Sequence, residues 1–417
     1  IKLSRREAEH STGPRKRELV REVAELATKK LGDPGEGIQI WNQVLEDVPN
    51  DDEALDALIE LYRKVQRWEA LAEILHRQVE NASSADRTLA LLEELGGLYL
   101  DKLSAPDNAI NVWQRVMELQ PDSDKARDTL RDLFVKAQRW ESLEEMFGRQ
   151  GDFSRLAETL QVAADREKDE AVKITLYTRV GELQRDMLDN PEASTKAYER
   201  VMSLDKTNVD VAQALVPLYR DFQKWPRLLE TQEVLLDQAE QDEDRLALLA
   251  EIRQISEENL GSKAKAFEWC AKAFELDPGD PDLRAELERL AEEANAWDQL
   301  VALYTDQVAD LADDELKTTL LRKLATLSEE QLSRPEDAEV FYSELLEIHP
   351  DDLDALTALE RIYEVNHRWL ALVEVYNKRV ELEMDLPAKV ELLAKVASIQ
   401  EEYIGDAASA VEALNAL

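Results

Sequence analysis

Apolar residues fall three and three apart at six places in this chain. Val20, Val23 and Leu26 form the first line, followed by Leu92, Leu95, Leu98 and by Tyr177, Val180, Leu183. Leu249, Ile252, Ile255, then Leu321, Leu324, Leu327, and finally Leu393, Val396, Ile399 complete the set. Positions i, i+3 and i+6 lie on one side of a helix with 3.6 residues per turn, so each line predicts an amphipathic helix. A small residue follows the middle position in five copies: Ala24, Gly96, Gly181, Ala325 and Ala397. A small side chain on a packed helix lets a neighbouring backbone approach. Arg253 takes this place in the fourth copy and predicts locally looser packing there.

Other residue types keep the same beat. Trp68 and Trp140 are 72 residues apart, as are Trp225, Trp297 and Trp369, with a step of 85 between the two groups. Trp41, Trp113, Tyr198, Cys270 and Tyr342 follow the same spacing, and so do Pro49, Pro121, Lys206, Pro278 and Pro350. Gly37, Ala109, Ser194, Ala266 and Ala338 stand four residues before the members of the Trp41 series. After the proline line come Asp51, Ser123, Asn208, Asp280 and Asp352, all suited to cap a helix N-terminus through a side-chain oxygen. The helices that follow carry Leu58, Leu130, Leu215, Leu287 and Leu359 on one face. Each tryptophan of the Trp68 series opens a further helix, with a leucine three residues on. The predicted unit is therefore four helices, or two hairpins, in about 72 residues, stabilised by stacking on its neighbours. The units read as 15–85, 86–169, 170–241, 242–313, 314–385 and a truncated 386–417, after an N-terminal segment 1–14. The 13 extra residues of the second unit predict a short helix near 141–149 and a resumed fourth helix near 153–165, with Gly151 at the break. Pro217, inside the third capped helix, predicts a kink.

These positions resemble the tetratricopeptide repeat family, whose 34-residue motif has a small residue, an aromatic four later and a proline eight after that. Ala109, Trp113 and Pro121 match, as do Ala338, Tyr342 and Pro350, and Gly37, Trp41 and Pro49. The second hairpin departs more, with leucine three residues after each tryptophan where the motif has alanine. The resemblance covers about 15–417. It implies an all-α solenoid, a right-handed superhelix of stacked helix hairpins with a concave groove, and a role in binding proteins or peptides.

Glycine (12) and proline (13) are scarce, which excludes collagenous and Pro/Gly-rich disordered chains. One cysteine, Cys270, permits no intrachain disulfide and favours a reducing, cytoplasmic setting. No apolar run is long enough to span a membrane. The net charge is −39, and residues 1–50 are balanced, so the excess lies in 51–417. Such a surface argues against nucleic acid and anionic lipid and towards basic partners, or it simply keeps a long stack of helices soluble. The chain starts at Ile1 and its last unit stops in a second helix, which reads as part of a longer protein.

Candidate chemistry is sparse. His10, His76, His349 and His367 form no metal-ligand spacing, and the last two read as turn residues. The acidic pairs Asp51-Asp52 and Asp351-Asp352 lie in the capping register, which accounts for them without an ion. Cys270 reads as a buried structural thiol, with Trp269 beside it keeping part of the missing aromatic bulk. The tryptophans read as packing residues rather than a ligand platform. No cofactor or catalytic group is expected. Relatives of this family can hold C-terminal carboxylates with cations and amides on the first helix of each hairpin. The matching places here include Asp56 and Glu60, Glu94, and Asp128 and Asp132, which would repel a carboxylate. Glu60, Asp128 and Asp132 are thus candidate contacts for a basic or mixed basic-apolar partner segment. The function expected is a non-catalytic scaffold. The alternatives are a regulatory or substrate-recruiting arm of a larger enzyme, or a chaperone for a basic protein.

Overall fold

The computed structural model describes residue 7 and residues 10–28 and 34–415. Among these residues every regular element is a helix. The chain divides into two compact units, residues 1–168 with 186–188 and residues 169–185 with 189–417. The first contains α1 (Pro14–Leu26), α2 (Pro34–Asp47), α3 (Asp52–Val65), α4 (Trp68–Asn81), α5 (Ala85–Asp101), α6 (Pro106–Leu119), α7 (Asp124–Lys136), α8 (Trp140–Gln150) and α9 (Phe153–Arg166). The second is built from α10 (Glu170–Asp186), α11 (Pro191–Leu204), α12 (Val209–Asp221), α13 (Trp225–Gln238), α14 (Asp242–Gln254), α15 (Lys263–Leu276), α16 (Pro281–Ala294), α17 (Trp297–Asp310), α18 (Asp314–Glu330), α19 (Pro335–Ile348), α20 (Leu353–Val365), α21 (Trp369–Leu382), α22 (Leu386–Ile399) and α23 (Ala407–Asn415). The helices that pack closely are neighbours in sequence. Each unit is accordingly an all-α, tetratricopeptide-like stack of helix hairpins, in which a helix buries its apolar stripe on the next.

Side-chain chemistry fixes where the helices begin and end. Asp51 accepts the amide of Ala54, Ser123 that of Ala126, Asn208 that of Val211, Asp280 that of Leu283 and Asp352 that of Ala355. Each cap satisfies an amide that the first helical turn leaves without a partner. The turns before the tryptophans close through residues in the left-handed region, namely Gln66, Gln138, Gln223, Asn295 and His367, with φ of 53–57°. None of the five is glycine, so each turn holds a conformation that L-residues adopt at a cost. Helix α12 runs through Pro217, which sits exposed on its outer face.

The line of small residues serves a contact between rings and helix backbones. A Cβ on Gly96 would lie 2.6 Å from Nε1 of Trp113, and one on Gly181 would lie 2.4 Å from Cε1 of Tyr198. Ala24 and Ala325 are fully buried in the same register, with Trp41 and Tyr342 also buried. The fourth copy reverses the sizes: Arg253 replaces the small residue and Cys270 replaces the ring. Arg253 is not loosely held, contrary to the expectation from sequence. It pairs with Glu286 and lies 3.7 Å from Glu257, with three-quarters of its side chain buried. Cys270 is fully buried, and burial pushes its thiol up to about 12. Trp269 does not supply the missing bulk, since it is half-buried with Lys272 across its face at 4.0 Å.

All five turn tryptophans are half-buried rather than enclosed. Trp297 packs against the core of its unit from the edge, where Leu300 and Tyr304 are fully buried. Replacing Trp297 with alanine should therefore cost about 2 kcal/mol, below the roughly 3–5 kcal/mol of an enclosed aromatic. Denaturant unfolding with site-resolved hydrogen exchange over 281–310 is the measurement; an unchanged protection pattern would refute the packing role.

Candidate functional site

The extra segment of the chain produces an open groove in the first unit. Helix α8 packs on α7, and α9 packs on α8 in turn. Gly151 makes the break possible, with φ of 70°, and its amide and that of Asp152 close α8 onto Gly148 and Phe147. Both pieces bring their own anchors, Leu143 and Phe147 on α8 and Leu156 and Leu160 on α9, all buried. Because α8 separates them, α7 and α9 flank a groove of about 660 Å³. Buried Phe147 and half-buried Trp140 line it, together with Val135 and Val162.

Charge lines the rest. Arg127, Arg131, Asp128, Asp132 and Lys136 come from α7, and Arg155, Glu158 and Arg166 from α9, with Glu167 after it. Two of the three carboxylates singled out by sequence, Asp128 and Asp132, thus share one groove. Arg131 bridges them, at 2.9 Å from Asp128 and 2.8 Å from Asp132. Arg127 pairs with Asp124 and Arg155 with Asp152, leaving Lys136, Glu158 and Arg166 without a salt bridge among the described residues. Five cations against four acids is a local reversal in a chain of net charge −39.

Glu60 belongs elsewhere. It lies exposed on α3 and shares Arg63 with Glu94. Asp56, one turn earlier, accepts from Gln78 at 2.6 Å and from Arg87 at 3.1 Å. Asp56, Glu60, Glu94, Asp128 and Asp132 are therefore each neutralised in part by an arginine within three residues or on an adjacent hairpin. Sequence reasoning had marked the acids and passed over their partners. Trp140, Lys136 and Arg166 were missed too. The signal for them was the 13-residue insertion, which places new side chains beside an old helix.

The remaining acidic pairs act structurally. Asp51 holds the Ala54 amide and pairs with Arg21. Burial alone would raise Asp352, but the Ala355 amide and the Arg322 guanidinium at 2.6 Å outweigh it and hold the carboxyl below the usual range. Among the described residues no group of three or more His, Cys, Asp or Glu could hold a metal ion, and no helix is long and apolar enough to cross a membrane.

The chain matches no protein-family model and no curated protein. Among solved structures it is similar to yeast Tom70, at 12% identity and a TM-score of 0.24, over 93% of this chain and 96% of that one. It is similar to the P58(IPK) TPR domain at 14% identity and a TM-score of 0.22, over 93% and 98%. A chain in the structure of Naa15/Naa10 bound to HypK-THB gives 14%, 0.26, 95% and 67%. At such identities and scores nothing about ligands or partners carries over.

Proposed function

We propose that this protein is a non-catalytic scaffold, assembled from 72-residue double hairpins, that binds a basic or mixed basic-apolar segment of another protein. The observation that carries the reading is the groove between α7 and α9. It combines an open volume suited to a side chain or short segment, an accessible indole and the exposed carboxylates Asp128 and Asp132. A lysine or arginine of the partner would compete with Arg131 for those carboxylates, and apolar side chains would lie on Trp140 and Val162. The end of the groove that holds Lys136 and Arg166 would take the uncharged or acidic part of a mixed segment. Glu60 offers the same exchange on α3 against Arg63. The acidic surface beyond these points would steer such a segment inward.

The test is peptide binding by fluorescence anisotropy, with matched labelled peptides rich in lysine and leucine or in glutamate and leucine. The lysine peptide should associate faster at 0.1 M than at 1 M salt by roughly tenfold, as the screening length falls from about 10 Å to about 3 Å. Asp128→Asn with Asp132→Asn should slow it at low salt, and Glu60→Gln should slow it less. Preference for the glutamate peptide, or rates indifferent to salt and to these changes, would refute the electrostatic reading.

A further inference from the structure

Exposed large apolar side chains are distributed unevenly. Of the twelve among the described residues, nine fall between Val340 and Val411. Three surround a single turn: Val365 is 71% exposed, Leu370 70% and Tyr403 55%. That turn runs from the end of α20 through left-handed His367 to Trp369, the first residue of α21. Trp369 stacks on Tyr403 with ring centres 4.1 Å apart and planes 25° apart, and the His367 ring lies 5.3 Å from Trp369.

The same turn occurs four more times in the chain and shows what the position ordinarily carries. Two residues before the left-handed residue stand Lys64, Lys136, Asp221 and Glu293, where this turn has Val365. Directly after the tryptophan stand Glu69, Glu141, Pro226 and Asp298, where it has Leu370. The position of Tyr403 is filled by Lys102 at the first turn, whose ammonium lies 5.5 Å from the Trp68 ring. It is filled by Asn259 and Gln331 at the third and fourth. The backbone of the turn therefore tolerates charged or polar side chains at all three places. The apolar set is no requirement of folding, and among the described residues the stacking of the helices does not cover it.

The rim is acidic. Glu364 adjoins Val365, and Glu401 and Glu402 precede Tyr403; all three are exposed and make no salt bridge among the described residues. The cation within the turn, Arg368, is taken by Glu339. Isolated exposed apolar residues are ordinary, but a tryptophan–tyrosine stack flanked by two exposed aliphatic side chains has the make-up of a binding hot spot.

We infer that the turn 364–370 together with Tyr403 is a second docking surface, whose occupant is a protein segment presenting a large apolar side chain flanked by lysine or arginine. The apolar side chain covers the Trp369–Tyr403 stack and Leu370, while the flanking cations face Glu364, Glu401 and Glu402. The inference rests on the reading of the chain as a partner-binding scaffold, but it uses none of the groove residues of the first unit.

The probes are an 18-residue amphipathic peptide of leucine and lysine, its leucine and glutamate counterpart, and a serine and lysine control, titrated against the whole chain. The variant is Val365→Lys, Leu370→Glu and Tyr403→Lys combined, which installs the residues of the first turn and should leave the thermal midpoint unchanged. Chemical shifts of the Trp369 indole, assigned through Trp369→Phe, locate binding. The leucine–lysine peptide should shift that indole, and the triple variant should weaken its binding at this site at least tenfold. The glutamate and serine peptides should leave the indole unmoved. Asp128→Asn with Asp132→Asn should not affect this site, so a groove indifferent to those changes, with the Trp369 indole still shifted by the peptide, would refute the groove reading alone. An unmoved indole, equal response to the glutamate peptide, or full binding by the triple variant would overturn the inference. So would concentration-dependent dimerisation abolished by the triple variant, which would identify a second copy as the occupant.

Discussion

Gly181→Ala should destabilise the second unit by about 1–3 kcal/mol, the usual penalty for adding a methyl group to a filled contact. The new Cβ would stand 2.4 Å from the Tyr198 ring, at a distance that real side chains do not adopt. Relief would require moving Tyr198, which is fully buried on α11, or parting α10 from α11. Neither is the swing of a loose chain end. Gly96→Ala meets Trp113 at 2.6 Å and should behave alike in the first unit, whereas Gly97→Ala, one residue away and free of neighbours, should be neutral or stabilising. Urea unfolding of the three variants checks this. Equal midpoints for Gly97→Ala and Gly181→Ala would mean that the ring contact is not close in solution.

The second large effect concerns the pair with reversed sizes. Cys270→Trp alone should be strongly destabilising, because the ring would enter space that Arg253 and its ion pairs fill. Arg253→Gly alone should also destabilise, by emptying that space and removing a counter-charge of Glu286 and Glu257. Together the two changes recreate the Gly96–Trp113 arrangement. The double variant should lose less than the sum of the singles by about 0.5–3 kcal/mol, the range seen for residues in contact. Simple additivity would show that positions 253 and 270 do not share space. A pH series adds a second readout. The Arg289 hydrogen bond, with the charge of Arg253, holds Glu286 below the ordinary glutamate range despite burial. Because the folded pKa is depressed, this contribution is present above the unfolded value of about 4.3 and is lost as pH falls through the folded pKa. Arg253→Gly should therefore reduce the difference in stability between pH 7 and pH 4.

Much of this could be read from the sequence because helix periodicity and capping are local. The apolar lines at 92–98 and 321–327 predict helices, and α5 and α18 contain them. Asp280 with Pro281 announces the start of α16, and Gly151 marks the break between α8 and α9. What eluded the sequence depends on three-dimensional neighbours. Arg253 looked like a defect because its register named a missing small residue, while the compensating Cys270 lies on the next helix. Asp128 and Asp132 looked like bare charge because a count of acids takes no account of Arg131 reaching both. The tryptophans share a register with buried leucines, yet an indole at the first turn of a helix is covered on one side only. The apolar turn at 364–370 was legible from comparison among the copies, once the turns showed which positions face outward.

The short helix α8 has a consequence for how such a chain can change in length. It closes on a left-handed glycine and carries its own anchors in Leu143 and Phe147, and α9 reopens with Phe153 and Leu156 in the roles of a tryptophan and its leucine. An insertion that supplies its own stop signal and its own buried contacts leaves the downstream spacing intact, which here resumes at Trp225 after 85 residues and keeps to 72 from there. Length is thus a local variable in this architecture. A new concave face can be acquired by splicing in one self-sufficient helix, with no renegotiation of the packing that was already in place.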